Sequence, residues 1–256
     1  MDKHSTERFT TRVENYVRYR PNYPAALIPL LQRETGLTPD WTIADIGSGP
    51  GNLTRQLLAF GATVFAVEPN QAMREAGETL MEDQAHFTSV DGTAEHTTLP
   101  DESVDLITAG QAFHWFEPAT ARAEFQRILR APGWVALIWN RRMEGSSQVL
   151  DEHDEMLRRY SREYDSVRVK DSGTEDGMDI LFGDAGYNKF TLANEQQLDS
   201  KAYWGRLLSS SYTPLPGEPG HDEIRQRSLE IFDAHAENGI LRFPYETQIY
   251  LGKVLG

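Results

Sequence analysis

Cysteine is absent from the 256 residues. Its absence excludes disulfides, thiolate metal sites and cysteine nucleophiles, and it suits a reducing compartment. Long apolar runs are also missing. No stretch approaches the roughly 18 consecutive apolar residues of a membrane helix, and the opening "MDKHSTERFTTRVENY" has no apolar segment of the kind a secretory signal carries. Basic charge is scarce: 25 Lys and Arg stand against 39 Asp and Glu, for a net charge of −14. Such a surface repels a phosphate backbone, and the dense basic clusters ("RYRP", "WNRRM", "MLRRYSR") are short. These absences predict a soluble, cytoplasmic protein with no nucleic-acid and no membrane partner. His4, His86, His96, His153, His221 and His235 fall at no metal-ligand spacing, so no metal is expected, and "DEHDE" around His153 reads as one acidic helix face in water. Neither a G-x-S-x-G elbow nor a Walker loop occurs, and there is no internal repeat.

What is present is a regular alternation over residues 41 to 140. "WTIADI" is a short apolar run followed by glycines, and in "NLTRQLLAFG" Leu53, Leu57 and Leu58 recur at helical spacing until Gly61. "ATVFAV" predicts a second strand, "NQAMREAGETLME" a helix capped by Asn70, "HFTSV" a third strand and "SVDLITAG" a fourth. "ATARAEFQRILRAPG" predicts a helix ending at Pro132 and Gly133, and "WVALIWN" a fifth strand. Apolar strands alternating with helices predict an α/β, doubly wound, mostly parallel sheet covered on both faces. Beyond residue 140, "SSQVLDEHDEMLRRYSREY" predicts a polar helix and "RVKDSGTEDGMD" an acidic loop. "KFTLANEQQL" predicts a strand, "DSKAYWGRLLSSSY" a helix capped by Asp199 or Ser200, and "TPLPGEPG" a loop. "HDEIRQRSLEIFDAHAENG" predicts a helix, and "YETQIYLGKV" an alternating strand added antiparallel at the sheet's edge. The expected division is an N-terminal helical segment (1–40), an α/β core (41–140) and a C-terminal part (141–256), together forming one structural domain.

"ADIGSGPGN" carries the first functional signal. A strand running into glycines and a helix N-terminus presents backbone N–H groups to a polar ligand. The nicotinamide fingerprint is G-x-G-x-x-G. Here the glycines are Gly47, Gly49 and Gly51, with Asn52 in the sixth position. Asp45, two residues ahead of the first glycine, suits a cofactor with a cationic amino-acid end rather than a diphosphate; the alternative is that it bonds the turn's own amides. Glu68 ends the second strand, where an acid can accept from both hydroxyls of a ribose.

"DIGSGPG" followed by "VEPN" resembles the class I S-adenosylmethionine-dependent methyltransferases, especially the small-molecule type 11 family. "VDGTAEHTTLPDESVDLITAGQAFHWF" resembles the same family's segment from the third strand through the loop after the fourth, and "RYRPNYP" the N-terminal segment of one branch. The resemblance implies a seven-stranded Rossmann-like fold and methyl transfer from S-adenosyl-L-methionine, with S-adenosyl-L-homocysteine as product. It implies that Asp45 and the turn Gly47, Ser48, Gly49 and Gly51 hold the methionyl and ribose parts, and that Glu68 takes the ribose hydroxyls with Pro69 and Asn70 shaping the strand end. Relatives often read "GDAE" after the third strand. This chain has Thr93, so the adenine contact falls to the Thr93 hydroxyl or to the backbone of Thr93 and Ala94.

In a sheet ordered 3-2-1-4-5, ligands lie where strands one and four diverge, so the loop "GQAFHWF" faces them. Gln111 is a candidate for the cofactor, and Phe113, His114 and Trp115 for the acceptor pocket. Aromatics near the sulfonium act by cation–π attraction, worth ~0.5–2 kcal/mol each, although core packing is the expectation for one of Phe113 and Trp115. His114 is either a general base or a hydrogen-bonded wall residue. "YVRYRPNYP" reads as a lid with Tyr19 and Arg20 over the cofactor, Arg20 pairing with its carboxylate, or as a loop bracing the first helix. "IWNRRM" sets Asn140, Arg141 and Arg142 at the end of strand five, where Arg141 can meet an anionic acceptor. The expected function is methyl transfer to oxygen, nitrogen or carboxylate of a small molecule. The alternatives are a non-enzymatic protein that binds the same cofactor and a nicotinamide-dependent oxidoreductase, against which the glycine spacing and the missing Tyr-x-x-x-Lys pair count.

Overall fold

The computed structural model describes residues 12–143, 145, 147–161, 164 and 174–255. His4 and residues 168–173 of the expected acidic loop lie outside them. Two short helices come first: α1 (Val13–Tyr19) and α2 (Leu27–Thr35). Then follow β1 (Thr42–Ile46), α3 (Asn52–Phe60), β2 (Thr63–Val67), α4 (Gln71–Leu80), β3 (Phe87–Val90) and β4 (Val104–Gly110). A single 3-10 turn at Phe113–Trp115 leads into α5 (Pro118–Ile128) and β5 (Leu129–Arg141). The chain continues through α6 (Gln148–Tyr160), α7 (Thr174–Phe182), β6 (Tyr187–Leu198), α8 (Ser200–Leu208), α9 (His221–His235) and β7 (Leu241–Lys253).

The seven strands form one sheet in the order β3-β2-β1-β4-β5-β7-β6. The first five are parallel, and β7 runs antiparallel between β5 and β6. Successive residues of β1 go to opposite faces: Ala44 and Ile46 pack with Phe125, Trp139 and Phe182, whereas Ile43 packs with Leu27, Leu31 and Leu57. Both faces of the central strands β1 and β4 are therefore dry, which is why their sequences run apolar rather than alternating. A third apolar cluster, with Leu150, Tyr203, Ile231 and Phe243, joins α6, α8 and α9 to the start of β7.

Four expectations need correction. The helix of residues 119–133 ends at Ile128, and Leu129 is already extended and paired with Val104. Pro132 lacks an N–H and disfavours a helical Ala131, so the chain leaves the helix before them. The acidic loop is helical from Thr174. The alternating final strand is not at the edge: β6 is, and β7 bonds neighbours on both sides. Its alternation arises in its first half, where Leu241, Phe243 and Tyr245 pack into the cluster of α8 and α9 and the residues between them are exposed or half-buried. "DEHDE" is not one solvated face: His153 and Asp154 are buried. His153 meets the Tyr203 hydroxyl at 2.8 Å, and burial, with Arg142 and Arg206 nearby, pushes its pKa well below the usual imidazole range.

Candidate cofactor site

β1 delivers its chain to the point where β2 and β4 flank it, so the turn after Ile46 opens into the crevice of the sheet. Gly47, Gly49 and Gly51 all have positive φ (66°, 56° and 92°), conformations that L side chains rarely adopt. The Gly47 and Ser48 amides donate to Val67 O at 2.8 and 3.2 Å, pinning the turn to β2. A Cβ at Gly47 would lie 2.6 Å from Ala112 Cβ, and the Phe116 ring borders the same spot. A Cβ at Gly49 would meet nothing nearer than Tyr16 Cε1, at 4.0 Å, so the turn keeps an open face there.

Glu68 ends β2 at 8% exposure. Its Oε2 accepts from Gly49 N at 2.9 Å and its Oε1 from Asn70 N at 2.8 Å. Burial raises its pKa, opposed by those two amides and by Arg74. A carboxylate accepts about four hydrogen bonds, so two amides leave lone pairs for ribose hydroxyls. Pro69 is half-buried between Glu68 and Asn70, and the Asn70 side chain caps α4 through Met73 N at 3.0 Å.

Asp45 has an occupation that its position in the motif did not disclose. At 1% exposure it accepts from the Thr54 hydroxyl at 2.6 Å and the Thr108 hydroxyl at 2.9 Å, tying β1 to α3 and β4. Burial pushes its pKa up to about 6 even though both hydroxyls favour the ionised form. Thr93 pairs its backbone with His96, and its Oγ1 accepts from His96 N at 3.2 Å; the neighbouring Ala94 side chain enters the core.

In the loop after β4 the core-packing residue is Phe113, as expected for one of Phe113 and Trp115. Gln111 is left-handed (φ 59°), with its amide nitrogen donating to Asn140 O at 3.1 Å, so it bridges the ends of β4 and β5. Phe113 is a core residue, in edge contact with Phe116 and Trp139, and does not line the crevice. His114 and Trp115 are half-buried with ring centroids 4.8 Å apart, and Phe116 borders Gly47.

The N-terminal segment also lies over the crevice in an arrangement of its own. Tyr19 packs on Gly205 of α8, where a Cβ would fall 2.2 Å from its ring, and so points away from the glycine turn. Tyr16, one helical turn earlier, is the ring beside Gly49. Tyr23 covers the end of β4: a Cβ at Gly110 would lie 2.3 Å from its hydroxyl. Burial, with Tyr16 and Asp45 nearby, drives the Tyr23 phenol well above its usual range. Arg20 sits over the Tyr16 ring at 4.9 Å and donates to Ser209 O at 3.0 Å. Arg12 binds the carbonyls of Leu208, Ser210 and Thr213 at 2.9, 2.6 and 2.7 Å, strapping α1 to the loop after α8. Arg141 rests over Trp139 at 5.6 Å, whereas Arg142 turns inward to Tyr164 and Asp154. Tyr16 and Tyr23 were the residues the sequence reading left without a role. Their signal was the interleaving of Tyr and Arg in "YVRYRPNYP".

The seven-stranded order, with β7 inserted antiparallel between β5 and β6, is the class I methyltransferase fold, in which the three-glycine turn after β1 and the acid after β2 face the crevice. Residues 44–137 match the family described as a methyltransferase domain. That segment is thus similar to methyltransferase domains, the family that the sequence resembles. The chain is 37% identical over 136 residues to an uncharacterized methyltransferase of Mycobacterium tuberculosis, covering 53% of each chain. It is 34% identical over 154 residues to one of Schizosaccharomyces pombe, covering 56% of this chain and 59% of that one. It therefore spans just over half the length of the curated relatives it matches. Among solved structures, a chain from Anaeromyxobacter dehalogenans described as a candidate type II methyltransferase superposes with a TM-score of 0.67 at 23% identity. That superposition covers 93% of this chain and 99% of that one. Among the described residues no helix is long and apolar enough to cross a membrane, and no group of His, Cys, Asp and Glu is placed to hold a metal ion.

Proposed function

We propose that the protein transfers a methyl group from S-adenosylmethionine to a small-molecule acceptor. The observation that carries this reading is the pairing of Glu68 with the amide of Gly49 across an open, left-handed glycine turn. The acid that would take the ribose and the backbone that would pass beneath it are already in register. A similar fold, the geranyl diphosphate C-methyltransferase of Streptomyces coelicolor (TM-score 0.50, 14% identity, covering 90% of this chain and 76% of that one), was solved with S-adenosyl-L-homocysteine. When bound, the cofactor supplies a methyl carbon on a sulfonium, which an acceptor lone pair attacks as the C–S bond electrons return to sulfur.

The chain's own part is positional. Gly47, Gly49 and Gly51 let the backbone approach the ligand, Glu68 orients the ribose, and Tyr16, Tyr23 and Phe116 exclude water from the crevice. Exclusion and alignment are the principal levers for an in-line displacement. A base is needed only where the accepting atom must shed a proton. An acceptor carboxylate has none to shed, and His114, in the turn after β4, is the candidate base for the other case.

The test is calorimetric titration of wild type and Glu68→Ala with S-adenosylmethionine and with NADH. Loss of two ribose hydrogen bonds to a charged group should weaken S-adenosylmethionine binding roughly 100-fold or more, with no NADH binding by either protein. Tight NADH binding would replace this reading with an oxidoreductase. Cofactor binding without turnover on any acceptor would favour a regulatory protein.

A further inference from the structure

Three arginines from separate parts of the chain converge beside the crevice. Arg20 follows α1, Arg142 follows β5 and Arg206 lies on α8, and Tyr212, in the loop after α8, stands among all three. Burying a guanidinium without a matching anion is costly. Among the described residues, the only carboxylate within salt-bridge distance of any of them is Asp154, 3.3 Å from Arg142 Nη2. That oxygen also accepts from the Tyr164 hydroxyl at 2.6 Å. Arg20 has a carbonyl and a tyrosine face for company. Arg206, 6% exposed, donates Nε to the Tyr245 hydroxyl at 3.2 Å and Nη1 to Ser210 Oγ at 3.1 Å. The Nε atoms of Arg20 and Arg142 are buried with no hydrogen-bond partner among the described residues.

Tyr212 and Arg20 register this positive charge, whereas at Arg142 burial is outweighed by Tyr212, Tyr164 and Asp154, which hold its guanidinium above the usual range. Burial would raise the Tyr212 pKa, but Arg142, Arg206, Arg20 and a hydrogen bond with Ser210 bring it down to about 8. Burial and the neighbouring Arg206 both lower the pKa of Arg20. In a chain of net charge −14, acids to neutralise these arginines are plentiful, yet among the described residues only one has been placed there. The cluster is also connected to the reaction site: Tyr16 touches the open face of Gly49 on one side and Arg20 on the other.

We infer that Arg20, Arg142 and Arg206, with Tyr212, form the recognition pocket for an acceptor carrying carboxylate or phosphate groups. The inference rests on the methyl-transfer reading and names its substrate class. The cofactor's single carboxylate is not a sufficient occupant. Arg20 reaches the glycine turn through Tyr16, and three guanidinium charges against Asp154 leave an excess of two. Planar forks arriving from three elements suit a ligand with several oxyanion groups, since each fork can take one bidentately. If the methylated atom is itself a carboxylate oxygen, its lone pair forms the new C–O bond, the C–S bond breaks, and a methyl ester and neutral thioether result with no proton released.

The test uses the intact protein. S-adenosylhomocysteine is titrated first; then sodium citrate, sodium succinate and inorganic phosphate are titrated with and without it, against sodium chloride at matched ionic strength. The expected result is saturable binding of citrate or phosphate that adds to S-adenosylhomocysteine binding. Its affinity should fall roughly tenfold or more in Arg142→Gln and in Arg206→Gln, while Arg142→Gln keeps its S-adenosylhomocysteine affinity. Arg142→Lys, which keeps the charge but not the fork, covers a Gln variant that does not fold, and its affinity should lie between wild type and Gln. Whichever of citrate and phosphate binds more tightly identifies the group recognised. Anions that bind no better than chloride, or bind the variants as well as wild type, overturn the inference. Citrate that displaces S-adenosylhomocysteine also overturns it, by giving the cluster to the cofactor's own carboxylate. Citrate binding without any S-adenosylhomocysteine binding overturns the methyl-transfer reading alone.

Discussion

Asp45 and Glu68 are two buried acids with opposite local arrangements. Glu68 is held by amides and retains capacity for a ligand, whereas Asp45 is engaged by two threonine hydroxyls and faces almost no solvent. The folded state binds the Asp45 proton more tightly than the unfolded chain does, because its pKa rises to about 6. Its contribution to stability is thus fully present at the acid end and is lost as pH climbs from about 4 through about 6. Asp45→Asn should flatten that part of the curve of stability against pH. Denaturant titrations of both proteins between pH 4 and pH 7 would show it, and an unchanged slope would remove Asp45 as the source. The two acids were legible in the sequence as members of one motif. That Asp45 braces the fold was not, because Thr108 is 63 residues away and no local pattern announces the contact.

At the scale of elements, α1 and α8 meet through one missing side chain. Tyr19 lies where a Cβ of Gly205 would fall, so Gly205→Ala should destabilise the protein despite alanine's better helix propensity. A loss of about 1–3 kcal/mol is the usual cost of overpacking. Combining it with Tyr19→Ser should restore much of the loss in a double-mutant cycle; strict additivity would mean that the two residues do not press on each other. The periodicity of "NLTRQLLAFG" and the Asn70 and Asp199 caps are local signals, and the elements they predict are present. Tyr16 and Tyr19 show why local signals run out. They sit one helical turn apart in the same motif, and which of them meets the glycine turn depends on where α8 docks. The end of α5 was misread for a different reason. The Pro-Gly pair marks a helix stop in the sequence, but the proline's effect reaches back over the residues before it, to Ile128.

For the molecule as a whole, the matched family segment ends at residue 137, before β5 is complete and before the sheet reverses direction. The five parallel strands were legible as apolar runs alternating with helices, and their order as that of the doubly wound fold. The insertion of β7 between β5 and β6 was not, since an alternating strand fits an edge and a half-covered interior equally well. A chain cut after residue 186 would leave the β5 edge from Trp134 to Arg141 without the partner that β7 provides. Such an edge is a template for other chains. The truncated protein should aggregate, and size-exclusion chromatography of matched preparations would reveal it; a well-behaved monomer would mean that β6 and β7 are ornament.

The strap from Arg12 to the carbonyls of Leu208, Ser210 and Thr213 has a consequence in time. During synthesis the glycine turn and all five parallel strands emerge before the loop that anchors α1 exists. At ordinary elongation rates, the roughly 70 residues between the end of β5 and that loop take about 4–14 s to appear. Throughout that interval the nascent crevice has no fixed cover and α1 has nothing to hold, so α1, made before every strand of the sheet, is among the last elements to find its place.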